Sequence, residues 1–237
     1  MVGIKVIVPV STNIWNDMIR DAYEKYKEHD TKIDIINISL GPESIEQIYD
    51  DVWAGLPTLM EVEKAEKEGY DAIIIYCFGD PALRAAKEAV NIPVVGLCEP
   101  SIHIASMLGR KFSIIGVGGE VGYGLLFDNV AVYGLSNKLA SIRLTDIKVL
   151  DIKKEFNRIV DALCEEGRKA IENDGAEVLV LGCGGLLNLA ETLEKQLGVP
   201  IVDPGLAALK TAEILARLKL RQSKKAYVTP YQKKRIM

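Results

Sequence analysis

Short apolar, β-branched runs alternate along the chain with stretches whose apolar residues recur at helical spacing. IKVIVPV (Ile4–Val10) precedes a predicted helix over about Asn13–Glu28. IDIINIS (Ile33–Ser39) precedes helical residues with a break expected near Pro57. DAIIIYC (Asp71–Cys77) precedes a predicted helix from Pro81, with Asp80 as its N-cap and Pro81 as its first residue. The second half restarts the pattern with FSIIGVG (Phe112–Gly118) and a strand-like IRLTDIKVLDI (Ile142–Ile152). A predicted helix over about Lys153–Asn173 and the run EVLVLGC (Glu177–Cys183) follow. A helix over about Leu186–Leu197, VPIVDP (Val199–Pro204) and a last helix ending near Leu220 complete it. Strand runs alternating with helices define an α/β fold, with parallel sheets flanked by helices.

The pattern also repeats internally. EGYDAIIIYC ends at Cys77 and DGAEVLVLGC ends at Cys183, each cysteine eight residues after a glycine (Gly69, Gly175) that closes the preceding helix. Pro93 and Pro200, in the next short strands, come 16 and 17 residues after the respective cysteines. The first strands begin near Ile4 and Phe112, 73 and 71 residues before them. Duplication into two pseudosymmetric lobes follows. Residues 1–101 form the first, with the helix 205–220 expected to pack back onto it. Residues 102–204 form the second, and a basic tail 221–237 remains. Open α/β sheets bind ligands at their strand carboxyl ends. Facing lobes therefore put Cys77 and Cys183 on opposite walls of one cleft.

Bulk properties narrow the partners. The 237 residues are 49% hydrophobic, enough for one large core or two smaller ones. Lys and Arg number 29 against 33 Asp and Glu, scattered rather than striped, so the net charge of −4 gives no footprint for nucleic acid. Small molecules are the expected partners. No apolar run approaches the roughly 20 residues of a membrane span, and MVGIKVIVPV enters a strand without a secretory layout. A soluble, cytoplasmic protein is expected. The tail after Arg221 is read as a solvated, frayed end rather than an anion site. Four cysteines without a Cys-x-x-Cys pair imply reduced thiols, and two histidines leave no His-based metal site.

Chemistry then falls to the matched cysteines. A thiol at a strand end before a helix N-terminus is expected to have its pKa lowered by the helix dipole. Gly184 and Gly185 leave backbone amides open to an anionic or enolate oxygen. Inverting a stereocentre beside a carbonyl needs a base on one face and an acid on the other. A thiolate and a thiol supply both, titrating as a coupled pair, and no motif for pyridoxal or metal is present. Cys98 is read as structural, Cys164 as helix packing, and His103 as a cap or surface group. Gly116, Gly118 and Gly122 follow a strand as a dinucleotide loop would. Their spacing departs from that motif, however, and a poor helix sequence follows. They are read instead as a loop hugging a small ligand, equivalent to Val10, Ser11 and Thr12.

GPESIE (Gly41–Glu46), CFGDPAL (Cys77–Leu83), PVVGLCEPS (Pro93–Ser101), KFSIIGV (Lys111–Val117) and LGCGG (Leu181–Gly185) resemble the aspartate/glutamate/hydantoin racemase superfamily, most strongly its hydantoin racemase branch. The resemblance runs to about Leu220. It implies two pseudosymmetric lobes, a cofactor-independent mechanism and assembly into homo-oligomers. It also implies a catalytic cysteine in each lobe, here Cys77 and Cys183. Substrate-binding loops map onto Ser11 and Thr12, Gly79 and Asp80, Gly118 and Gly119, and Gly184 and Gly185. Two positions depart from the family pattern. Val8-Pro9-Val10 stands where Asn-Pro-Asn is common, and Gly118-Gly119 where adjacent threonines are usual. Both remove groups that would grip an amino-acid carboxylate or a hydantoin ring. The expected activity is racemisation of a 5-substituted hydantoin-like or acidic amino-acid substrate. The alternatives are a decarboxylase or maleate-type cis-trans isomerase of the same superfamily, or a non-catalytic protein binding a small anion.

Overall fold

Residues 1–235 are described by the structure, a computed structural model. The first half runs β1 (Val2–Val8), α1 (Asn16–Tyr26), β2 (Thr31–Asn37), α2 (Ile48–Lys67), β3 (Ala72–Ile75), α3 (Leu83–Ala89), β4 (Val94–Val95) and α4 (Cys98–Leu108). The second runs β5 (Phe112–Gly116), α5 (Tyr123–Val132), β6 (Leu139–Leu144), α6 (Phe156–Glu172), β7 (Val178–Leu181), α7 (Ala190–Leu197), β8 (Ile201–Val202) and α8 (Pro204–Arg217). Each half forms a four-stranded parallel sheet, in the orders β2-β1-β3-β4 and β6-β5-β7-β8. The registers match as well: β1 pairs with β3 through Val6 and Ile74, and β5 with β7 through Ile114 and Val180. Every residue of β3 and β7 is buried, because helices cover both faces of these central strands.

The helix after each sheet crosses to the other half. α4 packs on β7, β5 and β8, while α8 packs on β3, β1 and β4, and the two helices pack on each other. A division of the chain at residue 101 therefore falls inside α4. One apolar core runs through both halves, joining Val6 and Ile74 to Ile114 and Val180. α8 is fastened by Glu213, whose buried carboxylate accepts from Thr31 Oγ1 and the Glu28 amide, both at 2.7 Å. Tyr23 adds a hydroxyl bond to the Gly205 carbonyl at 2.9 Å.

Four expectations are corrected. α2 continues through Pro57. The missing proline N–H leaves the Trp53 carbonyl unpaired within the helix, but burial of Ala54, Val62 and Ala65 holds the helix together. Thr58 adds a hydroxyl bond back to the Ala54 carbonyl at 2.7 Å. The strand expected over Ile142–Ile152 ends at Leu144, where its partner β5 ends, and the chain turns to bond the Gly118 and Gly119 amides through the Ile147 and Thr145 carbonyls. The glycine loop does lead into a helix, α5, whose Leu125, Leu126 and Val130 are buried. Finally, the start of the tail is docked rather than frayed. The Gln222 amide both donates to and accepts from the backbone of edge strand β4 at Val94. Lys224 Nζ donates to the Lys87, Glu88 and Val90 carbonyls at the end of α3. Lys87 lies 5.5 Å from the centre of the Tyr227 ring. The tail's last two residues, 236 and 237, lie outside the described residues.

Candidate active site

Cys77 and Cys183 stand two residues beyond β3 and β7, at equivalent points of the repeated sheets. Each sulfur accepts the backbone N–H two residues on, Gly79 to Cys77 and Gly185 to Cys183, both at 3.4 Å. Both cysteines line one pocket. Val8, Val10 and Trp15 of the first half and Leu125, Leu126 and Val149 of the second form most of its apolar wall. The glycines after Cys183 have a steric cause. A Cβ on Gly184 would come within 2.7 Å of Tyr76, and one on Gly185 within 2.8 Å of Ile152 and 3.2 Å of Trp15. The bare backbone thus lets Tyr76 and Trp15 press onto the second cysteine's turn. Tyr76 also donates its hydroxyl to the Gly184 carbonyl at 3.1 Å, tying one cysteine's strand to the other's loop.

The thiols are not acidified as the helix argument expected. α3 begins only at Leu83 and α7 at Ala190, and the single-turn 3-10 helix Gly184–Leu186 that starts beside Cys183 offers its sulfur one amide, that of Gly185. Burial instead dominates, pushing the Cys77 thiol well up, with Asp51, Cys183 and Asp80 adding repulsion and only the Gly79 N–H opposing. Burial likewise pushes Cys183 up to about 11, opposed by the Gly185 N–H and reinforced by Glu46. A thiolate formed here is a scarce but strong base.

Asp80 does not cap its own helix. Its backbone is left-handed, at φ 53°, as is that of Ala82, which precedes α3. The side chain instead reaches the start of α4. Oδ1 accepts from the amides of Leu97 and Cys98, and Oδ2 from the amide of Glu99 and the hydroxyl of Tyr133, at 2.7 to 3.0 Å. The second half differs: Asp203, at the end of β8, caps its own α8 through Gly205 and Leu206 and also binds the Asn188 amide.

Of the residues expected around a substrate, Gly79, Gly184 and Gly185 line the pocket with both cysteines. Ser11 is exposed and donates to the Pro42 carbonyl at 3.2 Å, so Val10 takes the wall position beside it. Thr12, Asp80, Gly118 and Gly119 also stand outside the lining, which takes Val117 and Gly122 from the glycine loop. Cys98 is buried beneath Asp80's bonds, Cys164 is buried and reaches Gln196, and His103 sits on α4 bonded to the Glu99 carbonyl. Among the polar and aromatic lining residues, sequence reasoning left Ser44, Glu46, Trp15 and Tyr76 without a role. Ser44 and Glu46 belong to the GPESIE motif, and Tyr76 directly precedes Cys77, so a signal was present for three of them. Among the described residues, no group of three or more His, Cys, Asp or Glu is placed to hold a metal ion. No helix among them is long and apolar enough to cross a membrane.

The fold agrees with comparisons to known proteins. The sequence pattern of the family described as Asp/Glu/Hydantoin racemase matches residues 4–212. A hydantoin racemase of Pseudomonas sp. (strain NS671) is 38% identical over 98% of this chain and 94% of its own. The allantoin racemase structures from Klebsiella pneumoniae and Pseudomonas fluorescens superpose with TM-scores of 0.93 and 0.94 at 31% and 30% identity. They cover 98% and 99% of this chain and 95% and 100% of theirs. Repeated sheets, matched cysteines and sequence similarity across nearly the whole chain lead to one conclusion: the chain belongs to the Asp/Glu/hydantoin racemase family and is a racemase.

Proposed function

We propose that this racemase is cofactor-independent and works with two thiols, inverting the carbon beside a carbonyl in a neutral ring of the 5-substituted hydantoin type. The observation that carries the reading is the pair of sulfurs, Cys77 and Cys183, at equivalent strand ends in the lining of one pocket. In one direction a cysteine thiolate removes the α-proton and becomes a thiol, leaving an enolate. The opposite cysteine delivers its own proton to the other face and becomes the thiolate. No atom is gained or lost, and the reverse reaction exchanges the roles.

The pocket's electrostatics favour the ring over an acidic amino acid. Its lining contains no Lys, Arg or His, and Glu46 is its charged side chain. A substrate carboxylate would meet this carboxylate with no cation to pair it, a costly burial. A ring that presents N–H groups instead gives Glu46 and Ser44 donors to accept. The ring is also the easier carbon acid, and the names of the relatives point the same way.

Incubation with hydantoins, aspartate and glutamate in deuterated water, followed by NMR, tests the reading. Solvent deuterium should enter the α-position of hydantoins without added cofactor, and neither amino acid should exchange. Cys77→Ser and Cys183→Ser should each lose racemisation by at least about a thousandfold. Racemisation surviving in either variant removes the two-thiol scheme, and retained binding with no exchange in the wild type supports the binding-protein alternative.

A further inference from the structure

One buried ionisable group is left unused by this mechanism. Asp51 lies in the first turn of α2, half-buried, with its Oδ1 enclosed and bonded to no donor. It does not serve the helix start, which Asp50 and Gln47 close between them. A carboxylate oxygen buried without a donor costs stability, so its presence here calls for a purpose outside folding.

Its neighbour supplies the purpose. A Cβ built on Gly79 would stand 3.3 Å from Asp51 Oδ1 and 3.5 Å from Cys77 Sγ, so the oxygen and the sulfur lie within about 7 Å of each other. At that range, away from bulk water, two negative charges repel appreciably. Asp51 titrates at about 6 because burial raises it, and so is ionised at neutral pH. The other ionisable groups around Cys77 are Asp80 of its own turn, Cys183 from the turn after β7, and Cys98 from α4. Asp80 is already engaged by four donors, Cys98 is an enclosed thiol, and Asp51 exerts the largest of the charge repulsions on Cys77. Cys183 is opposed by one carboxylate, Glu46.

We propose that Asp51 is a positioning residue for Cys77: its carboxylate disfavours the Cys77 thiolate, so when the pair has lost one proton Cys77 keeps the one that remains and the negative charge sits on Cys183. The assignment rests on the two-thiol reading above. In that favoured singly deprotonated form Cys183 is the base and Cys77 the acid, and the opposite enantiomer requires the less favoured form.

Iodoacetamide labelling of the substrate-free protein from neutral to alkaline pH, read separately for each cysteine by peptide mass spectrometry, tests it. In the wild type the labelling midpoint of Cys183 should lie below that of Cys77. Asp51→Asn should move the Cys77 midpoint down by about one pH unit and leave Cys183 in place. Asp51→Ser should do the same, and Asp51→Glu should keep the wild-type order. A lower midpoint for Cys77 in the wild type overturns the proposal without any variant. So does an unmoved Cys77 midpoint in either neutral variant with native circular dichroism. Labelling needs no turnover, so absence of α-proton exchange in the wild type defeats the racemase reading separately from these results.

Discussion

At the scale of single residues, the site's chemistry is governed by desolvation of sulfur. Each thiol has one backbone N–H donor, and burial outweighs it, leaving Cys183 at about 11 and Cys77 well raised. In the proposed two-thiol scheme the reactive form has lost one proton from the pair, so its population grows as pH rises toward these values. kcat/KM for a hydantoin should therefore increase close to tenfold per pH unit from neutral into the alkaline range, then level as the thiolate form becomes dominant. A pH-rate profile corrected for titration of the substrate ring checks this. A flat profile from neutral pH upward would mean that the thiolate is already formed there, stabilised against the enclosure of its sulfur. The same residues show what the sequence concealed. The cysteine spacing pointed to a matched pair, and both line one pocket, but the sign of the pKa shift depends on burial beneath the apolar wall, which Asp51 and Glu46 reinforce. Those groups come from segments remote in sequence from the cysteines they surround.

At the scale of elements, the turn after β3 gives its best acceptor to a different helix. Asp80 binds three amides at the start of α4 and the hydroxyl of Tyr133 just beyond α5, joining the first sheet to the helix that crosses to the second half and to the end of a helix within it. Asp80→Ala leaves these donors without their acceptor and should lower stability by about 3 kcal/mol, measured by urea unfolding. Asp80→Asn should cost less, because asparagine tolerates the left-handed backbone at φ 53° and retains one acceptor oxygen. Gly96→Ala provides an independent test, since its Cβ would fall 2.1 Å from Asp80 Oδ1 and must displace the carboxylate. It too should destabilise the fold, and combined with Asp80→Ala it should add much less than its separate cost. The apolar runs of β3 and β7 were legible because both faces are buried, which leaves a continuous hydrophobic signature. Asp80-Pro81 fits the local pattern of a helix start, but partners 17 to 19 residues away claim its carboxylate, and no local pattern records that. The extent of α2 escaped for the converse reason: Pro57 signals a break locally, and the packing of Ala54, Val62 and Ala65 overrides it.

At the scale of the whole molecule, duplication was readable from spacing, whereas the exchange of helices between halves was not. A repeat in sequence gives the element order of each half but not which sheet its last helix covers. Here α4 lies on the second sheet and α8 on the first, so each sheet depends on a helix from the other half, although a second apolar cluster between the first sheet, α2 and α3 draws its buried residues from the first half alone. Ala208, Leu209 and Ala212 of α8 are fully buried, and truncation before Pro204 would expose the apolar surface of β1 and β3 that they cover. Residues 1–109 expressed alone should therefore not reach a native fold, and the full chain should unfold as one unit despite its two sheets. Trp15 provides an internal reporter, because its ring lies against Gly185 of the opposite half. Lobes that separated before melting would release Trp15 into water while the helices remained, shifting its emission at lower urea than the loss of far-ultraviolet circular dichroism. Coincident transitions are expected, because Trp15 belongs to the core that spans both halves and cannot leave it while that core survives. Trp53 is exposed on α2, so replacing it with Phe leaves Trp15 as the sole tryptophan signal for this comparison. Early separation of the Trp15 signal would make the two sheets independent units. It would also allow the distance between the two sulfurs to vary without unfolding, which a mechanism using both faces of one carbon does not tolerate.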